Sequence, residues 1–192
     1  MKSIAVYCGS SDKVAENYLE TARRVGRLLA EQGIRLVYGA GSTGMMGAVA
    51  TSAMDAGGEV VGIIPQMFNT PQLALPSTTH FEVLPDMHTR LARMMELAEG
   101  FIALPGGYGT MDEFFQTVTW AQIGLHQKPI GLLNHGGYYN GLVSFLQHME
   151  SEGFMYAGHN GLYVVEDTPE ALIEAMAAYR IPQELNKWVE RE

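Results

Sequence analysis

The 192-residue chain holds a single cysteine, Cys8, so it forms no internal disulfide and offers no cysteine-rich zinc site. Positive charge is scarce too: 12 Lys plus Arg stand against 21 Asp plus Glu, a formal net charge of −9. A generic nucleic-acid binder needs a cationic face, and this balance argues against one. It leaves room for a small anion, because a few oriented backbone N–H groups hold phosphate even inside an acidic protein. No apolar run reaches the roughly 18 residues of a transmembrane helix. The opening Met1-Lys2-Ser3 runs directly into a strand-like stretch and lacks a signal-peptide pattern. The expectation is a cytoplasmic protein with a reduced thiol and with neither membrane nor nucleic acid as partner. The histidines at 80, 88, 126, 135, 148 and 159 show no ligand spacing such as H-x-x-x-H, so no metal site is expected.

What the chain does have is a packed-globule balance, with 47 % apolar and 17 % charged residues. Its length suits one domain that buries roughly 70 % of its unfolded surface. Short apolar runs alternate with helical patterns throughout. Ile4–Cys8, Ile34–Tyr38, Val60–Ile64, Phe81–Leu84, Phe101–Leu104, Ile130–Leu133 and Leu162–Val165 read as strands. Lys13–Gln32, Gly44–Ala56, Met87–Glu99, Thr110–Gly124, Tyr138–Glu152 and Pro169–Tyr179 read as helices, the first stopped by Gly33. Gln66–His80, with Pro71 and Pro76, reads as a loop over the sheet end. The tail after Pro182 is charged and amphipathic, with Trp188 as an anchor. Such alternation implies an α/β fold: a Rossmann-like, doubly wound parallel sheet with helices on both faces, in a single domain. Ligands of such folds sit beyond the C-terminal strand ends.

Two glycine-rich turns lie at those ends. Gly39-Ala40-Gly41-Ser42-Thr43-Gly44 matches G-x-G-x-x-G between a strand and a helix. It follows the second strand rather than the first, and the next strand runs into Pro65-Gln66 with no acid for a ribose 2′-hydroxyl, which argues against a dinucleotide site. It is either a phosphate cradle or a tight packing turn. Pro105-Gly106-Gly107-Tyr108-Gly109-Thr110-Met111-Asp112-Glu113 also joins a strand to a helix. Thr110 and Glu113 have capping-box spacing. A capping box leaves three neighbouring glycines unexplained, whereas a phosphate-binding turn accounts for them. Arg90 lies in Met87-His88-Thr89-Arg90 at the start of a helix, and on residue type alone it reads as a solvated side chain or an ion-pair partner.

Taken together, these segments resemble the Lonely Guy family of cytokinin-activating phosphoribohydrolases, once labelled possible lysine decarboxylases. The resemblance covers nearly the whole chain. It rests on Val6-Tyr7-Cys8-Gly9-Ser10-Ser11, Tyr38-Gly39-Ala40-Gly41, Gly44-Met45-Met46-Gly47, Asp86-Met87-His88 with Arg90, the complete P-G-G-x-G-T-x-x-E run from Pro105 to Glu113, and Thr119-Trp120-Ala121-Gln122. It implies a homodimer that takes a small-molecule nucleoside 5′-monophosphate, without a cofactor. The implied reaction splits the N-glycosidic bond of AMP or an N6-modified AMP into free base and ribose 5-phosphate. Arg90 and Glu113 are the implied catalytic pair. Gly106, Gly107, Tyr108, Gly109 and Thr110 are expected to hold the phosphate. Ser10, Gly41, Ser42 and Gly44 would complete the pocket, and Thr119 would reach it, directly or across the dimer. Two positions depart from the family pattern: Leu91 stands where Lys is usual, and Gln72 where many members carry Glu.

The rival reading is a non-catalytic nucleotide or cofactor carrier on the same fold, akin to molybdenum-cofactor carriers, which needs the phosphate turns but not the Arg90–Glu113 pair. The decarboxylase label would require pyridoxal phosphate on a Schiff-base lysine. None of Lys2, Lys13, Lys128 and Lys187 lies in a motif for that chemistry.

Overall fold

The computed structural model describes residues 1–156 and 158–182; the tail reading that involves Trp188 lies outside them. Seven strands, β1 (Ser3–Tyr7), β2 (Arg35–Tyr38), β3 (Val60–Pro65), β4 (His80–Leu84), β5 (Gly100–Ala103), β6 (Ile130–Leu133) and β7 (Val164–Glu166), form one sheet. Their order is β4-β3-β2-β1-β5-β6-β7, and every neighbouring pair is parallel. Val6 on the central strand pairs with Tyr38 on one side and Ile102 on the other.

Helices cover both faces, which is why the central strands are apolar beyond their first residues, Ser3 in β1 and Arg35 in β2. Ile4, Val6, Leu36, Ile64 and Ile102 pack with α1 (Glu16–Glu31), α2 (Gly44–Asp55) and α6 (Pro169–Ala178). The alternate residues Ala5, Tyr7, Val37, Ile63 and Phe101 pack with α3 (Met87–Leu97) and α4 (Tyr108–Gln122), and α5 (Asn140–Ser151) lies on that face. The period-two alternation of side chains thus sorts each strand into two cores. Leu91, the first departure from the family pattern, is buried in the second core beside Met94 and Met95.

The chain winds outward from β1 in two directions: β1 to β4 one way, then β5 to β7 the other. The loops after β1 and β5 therefore part company at the middle of the sheet, the switch point at which such folds open a crevice. The Gly9 N–H donates to Pro105 O at 3.1 Å across that point.

Several boundaries differ from expectation for local reasons. The first helix opens at Glu16 rather than Lys13. Gly33, at φ 67°, stops it as expected. The segment after β3 is a loop over the sheet end, but an anchored one. Ser42 N–H donates to Leu73 O at 2.8 Å and Leu75 N–H to Ala40 O at 2.9 Å, which clips the loop onto the G-x-G-x-x-G turn. Tyr138 and Tyr139 precede α5, carried by a 3-10 turn at His135–Gly137. Leu162 belongs to a 3-10 turn rather than to the last strand.

Candidate active site

A cavity of about 620 Å³ opens at the switch point. Its floor is made by the ends of β1 and β3 and the loops after β1, β2 and β5, and α3 and α4 close one side. Arg90 and Glu113 meet there. Asp86 caps α3 by accepting the Thr89 N–H at 2.8 Å, and Thr89 Oγ1 reaches back to the Asp86 N–H in a capping box. That cap fixes the first turn of α3 so that Arg90, the next residue, faces the sheet. Arg90 Nη1 donates to Glu113 Oε1 at 2.6 Å, and Nε donates to Ile63 O at 3.3 Å. Both side chains are almost fully buried, at 7 % and 10 % exposure. The solvated reading of Arg90 is therefore corrected; His88, by contrast, is exposed.

Gly39 explains how the guanidinium fits. A Cβ on that residue would come within 2.1 Å of Arg90 Nη2 and 2.6 Å of Met46 Cε. The turn after β2 thus contributes a gap, not a contact. Burial raises the Glu113 pKa above the usual carboxylate range, and the neighbouring Arg90 opposes the rise without cancelling it. The second oxygen, Glu113 Oε2, accepts no hydrogen bond from a described residue, and both residues line the cavity.

The turn after β5 differs from its expected detail. The helix begins at Tyr108 with Gly107 as its N-cap, so Thr110 sits inside the first turn and does not cap it. No Thr110–Glu113 capping box forms, because Thr110 is the third residue of the helix and not its N-cap; the Glu113 carboxylate turns to Arg90. Thr110 is buried against Gly106, where an added Cβ would lie 2.1 Å from Thr110 Oγ1 and 2.6 Å from its Cβ. Among the described residues none accepts a hydrogen bond from the amides of Gly107, Tyr108, Gly109 or Thr110. Those four residues and Gly106 line the cavity, and the Tyr108 side chain is 98 % exposed. The start of α4 is therefore an open set of donors carrying the positive end of a helix dipole.

The G-x-G-x-x-G turn is different. Gly44 N–H donates to Asp12 Oδ1 at 2.8 Å, and Met45 N–H and Met46 N–H donate to Gly9 O at 3.0 and 3.3 Å. The donors at the start of α2 are already used by the protein, one of them by a carboxylate. Ser10 and Gly41 line the cavity; Ser42 and Gly44 face a separate groove between α1 and α2. The Ser42 hydroxyl donates to the carbonyl of Gln72, the second departure, at 3.3 Å. Thr119 lies on the exposed side of α4 and does not line the cavity. Ala40 takes a left-handed φ of 54° between the two glycines, a strained conformation for a residue with a Cβ.

Phe68, Leu73 and Tyr138 also line the cavity, and residue type alone did not single them out. Phe68, Leu73, Met46 and Met87 make part of the wall apolar. The Cys8 thiol is buried and its pKa lies well above the usual range, so it stays protonated. Of the described lysines none lines the cavity, and Lys128 Nζ instead donates to Met95 O at 2.6 Å. These residues do not fit a pyridoxal Schiff base. Among the described residues no cluster of His, Cys, Asp and Glu could hold a metal ion, and no helix is long and apolar enough to cross a membrane.

Fold and site together define an α/β protein with unpartnered amides at a helix start beside a buried Arg–Glu pair. The family described as "Possible lysine decarboxylase" matches residues 46–176. A cytokinin riboside 5′-monophosphate phosphoribohydrolase of Rhodococcoides fascians is 43 % identical over 182 residues, 94 % of this chain and 90 % of that one. LOG3 of Arabidopsis thaliana, of the same description, is 40 % identical over 93 % of this chain and 83 % of its own length. This chain belongs to that family, the Lonely Guy phosphoribohydrolase family. Among solved structures, the molybdenum cofactor binding protein of Rippkaea orientalis aligns with a TM-score of 0.70 at 22 % identity, over 93 % of this chain and 97 % of that one. A Moco carrier protein of Chlamydomonas reinhardtii aligns with a TM-score of 0.66 at 22 % identity, over 92 % and 96 %. At that identity the likeness is one of fold.

Proposed function

We propose that the protein hydrolyses the N-glycosidic bond of a nucleoside 5′-monophosphate, AMP or an N6-modified AMP of the cytokinin type, to free base and ribose 5-phosphate. The observation that carries this reading is the buried Arg90–Glu113 pair beside unpartnered amides at the start of α4. The phosphate rests on the amides of Gly107 to Thr110, an anchor that positions the scissile bond without joining the chemistry. Cleavage leaves the electron pair of the bond on the base and positive charge on the ribose, as in glycoside hydrolysis. Glu113 Oε2 stabilises that charge and takes a proton from the attacking water, whose oxygen forms the new bond to the anomeric carbon; the proton ends on the departing base, which restores the carboxylate. Arg90 holds Oε1, so the carboxylate presents the other oxygen to the sugar. The apolar wall of Met46, Phe68, Leu73 and Met87 suits a base with an apolar substituent. A second copy of the chain belongs to this reading, and Thr119 on the exposed side of α4 is free to face it.

A carrier on the same fold has no use for a buried Arg–Glu pair, which removing one partner would destabilise by about 3–5 kcal/mol. Chromatography of products after incubation with AMP, an N6-prenylated AMP and adenosine separates the two readings. Base release from the monophosphates and little from adenosine is expected. Glu113→Gln, which keeps an acceptor for Arg90, should retain its circular dichroism and phosphate affinity while turnover falls at least about 100-fold, the scale of a lost electrostatic stabiliser. Tight binding without base release would instead identify a carrier.

A further inference from the structure

Three consecutive carbonyls of the turn after β5 are held by donors from elsewhere in the chain. Leu104 O accepts from Tyr139 Oη at 2.6 Å, Pro105 O from Gly9 N at 3.1 Å, and Gly106 O from Tyr138 Oη at 2.8 Å. The next amides, Gly107 to Thr110, are the ones with no described acceptor. This segregation of acceptors and donors has a geometric cause. In one trans peptide the C=O and N–H point in opposite directions. The bond from Tyr138 to Gly106 O therefore also aims the N–H of Gly107. Glycine on both sides of that peptide lets it rotate with little steric resistance, so something must hold it.

The two tyrosines are well placed to do so. Asn134 Oδ1 accepts the Tyr139 N–H at 2.7 Å, which ties the 3-10 turn after β6 to the pair. Tyr139 is 3 % exposed and Tyr138 is 45 % exposed, with its ring edge-on to Tyr18 and Tyr139 at centroid separations of 5.8 and 4.8 Å. One tyrosine is thus a buried brace; the other stands at the cavity wall.

We propose that Tyr138 is a positioning residue for the phosphate of the substrate: its hydroxyl fixes the Gly106–Gly107 peptide with the donor facing the anion, and Tyr139 braces the base of the same turn. The assignment rests on the reading that this turn binds the substrate's phosphate. Without the Tyr138 hydroxyl the peptide is free to turn its carbonyl toward the anion, which weakens binding and leaves Arg90 and Glu113 untouched.

The test is steady-state kinetics of wild type and Tyr138→Phe on AMP, N6-prenylated AMP and adenosine, with inorganic phosphate as competitor. The expected result is a rise of about tenfold, or about 1.4 kcal/mol, in both the nucleotide KM and the inhibition constant of phosphate. The change in kcat should be much smaller, and the preference for nucleotide over nucleoside should fall by a similar factor. A general loosening of the loop would also lower kcat and the melting temperature, whereas loss of the Tyr138 hydroxyl alone spares both. An unchanged phosphate constant in a variant with a wild-type melting curve overturns the proposal while leaving the phosphate reading intact. A wild type that treats AMP and adenosine alike and ignores phosphate overturns both. If the variant melts early, phosphate titration of both proteins below the variant's melting temperature, followed at the Gly107 amide by NMR, decides: a large shift in wild type that shrinks in Tyr138→Phe supports the assignment, and an equal shift in both overturns it.

Discussion

Glu113 has one oxygen committed to Arg90 and one free, and on the proposed reading the difference between them organises the chemistry. A carboxylate this deeply buried is reluctant to ionise, and Arg90 recovers only part of that cost. The native carboxyl therefore keeps its proton to higher pH than it would in the unfolded chain. The consequence for activity is an acid limb in kcat/KM that lies above the ordinary glutamate value of about 4.3. For stability the sign is fixed by the same comparison: this group's contribution is lost as pH rises from the unfolded value through the native one, and Glu113→Gln should abolish that part of the slope. Arg90→Met removes the opposing charge, so carbon-detected NMR should find the Glu113 carboxyl titrating higher still. At this scale the sequence was a poor guide. Arg90 follows His88 and Thr89 in a polar helix start and looks like a surface residue; only the family resemblance marked it. What buries it is the Asp86–Thr89 cap and the missing side chain at Gly39, neither of which residue type reveals.

Two elements that read alike in sequence, the glycine turns leading into α2 and α4, have opposite properties. At α4 the first amides are open; at α2 Asp12, Gly9 and the loop near Leu73 occupy the donors of the turn and helix start. The carboxylate of Asp12 occupies at α2 the place an anion would take at an open helix start. Asp12→Ala should cost about 1 kcal/mol, the scale of a helix cap, and lower the melting temperature by roughly 2–4 °C. Calorimetric titration should find no loss of monophosphate affinity in that variant, because the α4 turn is untouched. The strands and helices themselves were legible, since period-two and helical spacing follow directly from which side chains are buried. The plug at α2 was not: its bond joins residues 32 apart in sequence through a side chain that any loop might carry. The two tyrosines were likewise read as a helix start, because nothing local shows that their hydroxyls serve a turn more than 30 residues away.

At the scale of the molecule the site is a product of the completed sheet. Gly9 comes from the loop after β1, Gly39 from that after β2, Ile63 from β3, Arg90 from α3 and Glu113 from α4. An unfolded chain offers no version of this arrangement, so a nucleotide or ribose 5-phosphate should bind the native state alone. At a ligand concentration 100 times Kd that linkage is worth about 2.7 kcal/mol. Differential scanning fluorimetry should then register a rise of roughly 5–10 °C for a chain of this size; adenosine should give much less. The hydrogen bond from Gly9 to Pro105 has a meaning beyond its strength. It lies on the seam between the two windings of the chain, and neither winding contains both the arginine's cradle and the carboxylate. On the proposed reading, bond cleavage would thus be a property of the seam. A disturbance that parts β1 from β5, however far from the ligand, should silence turnover before the helices begin to melt.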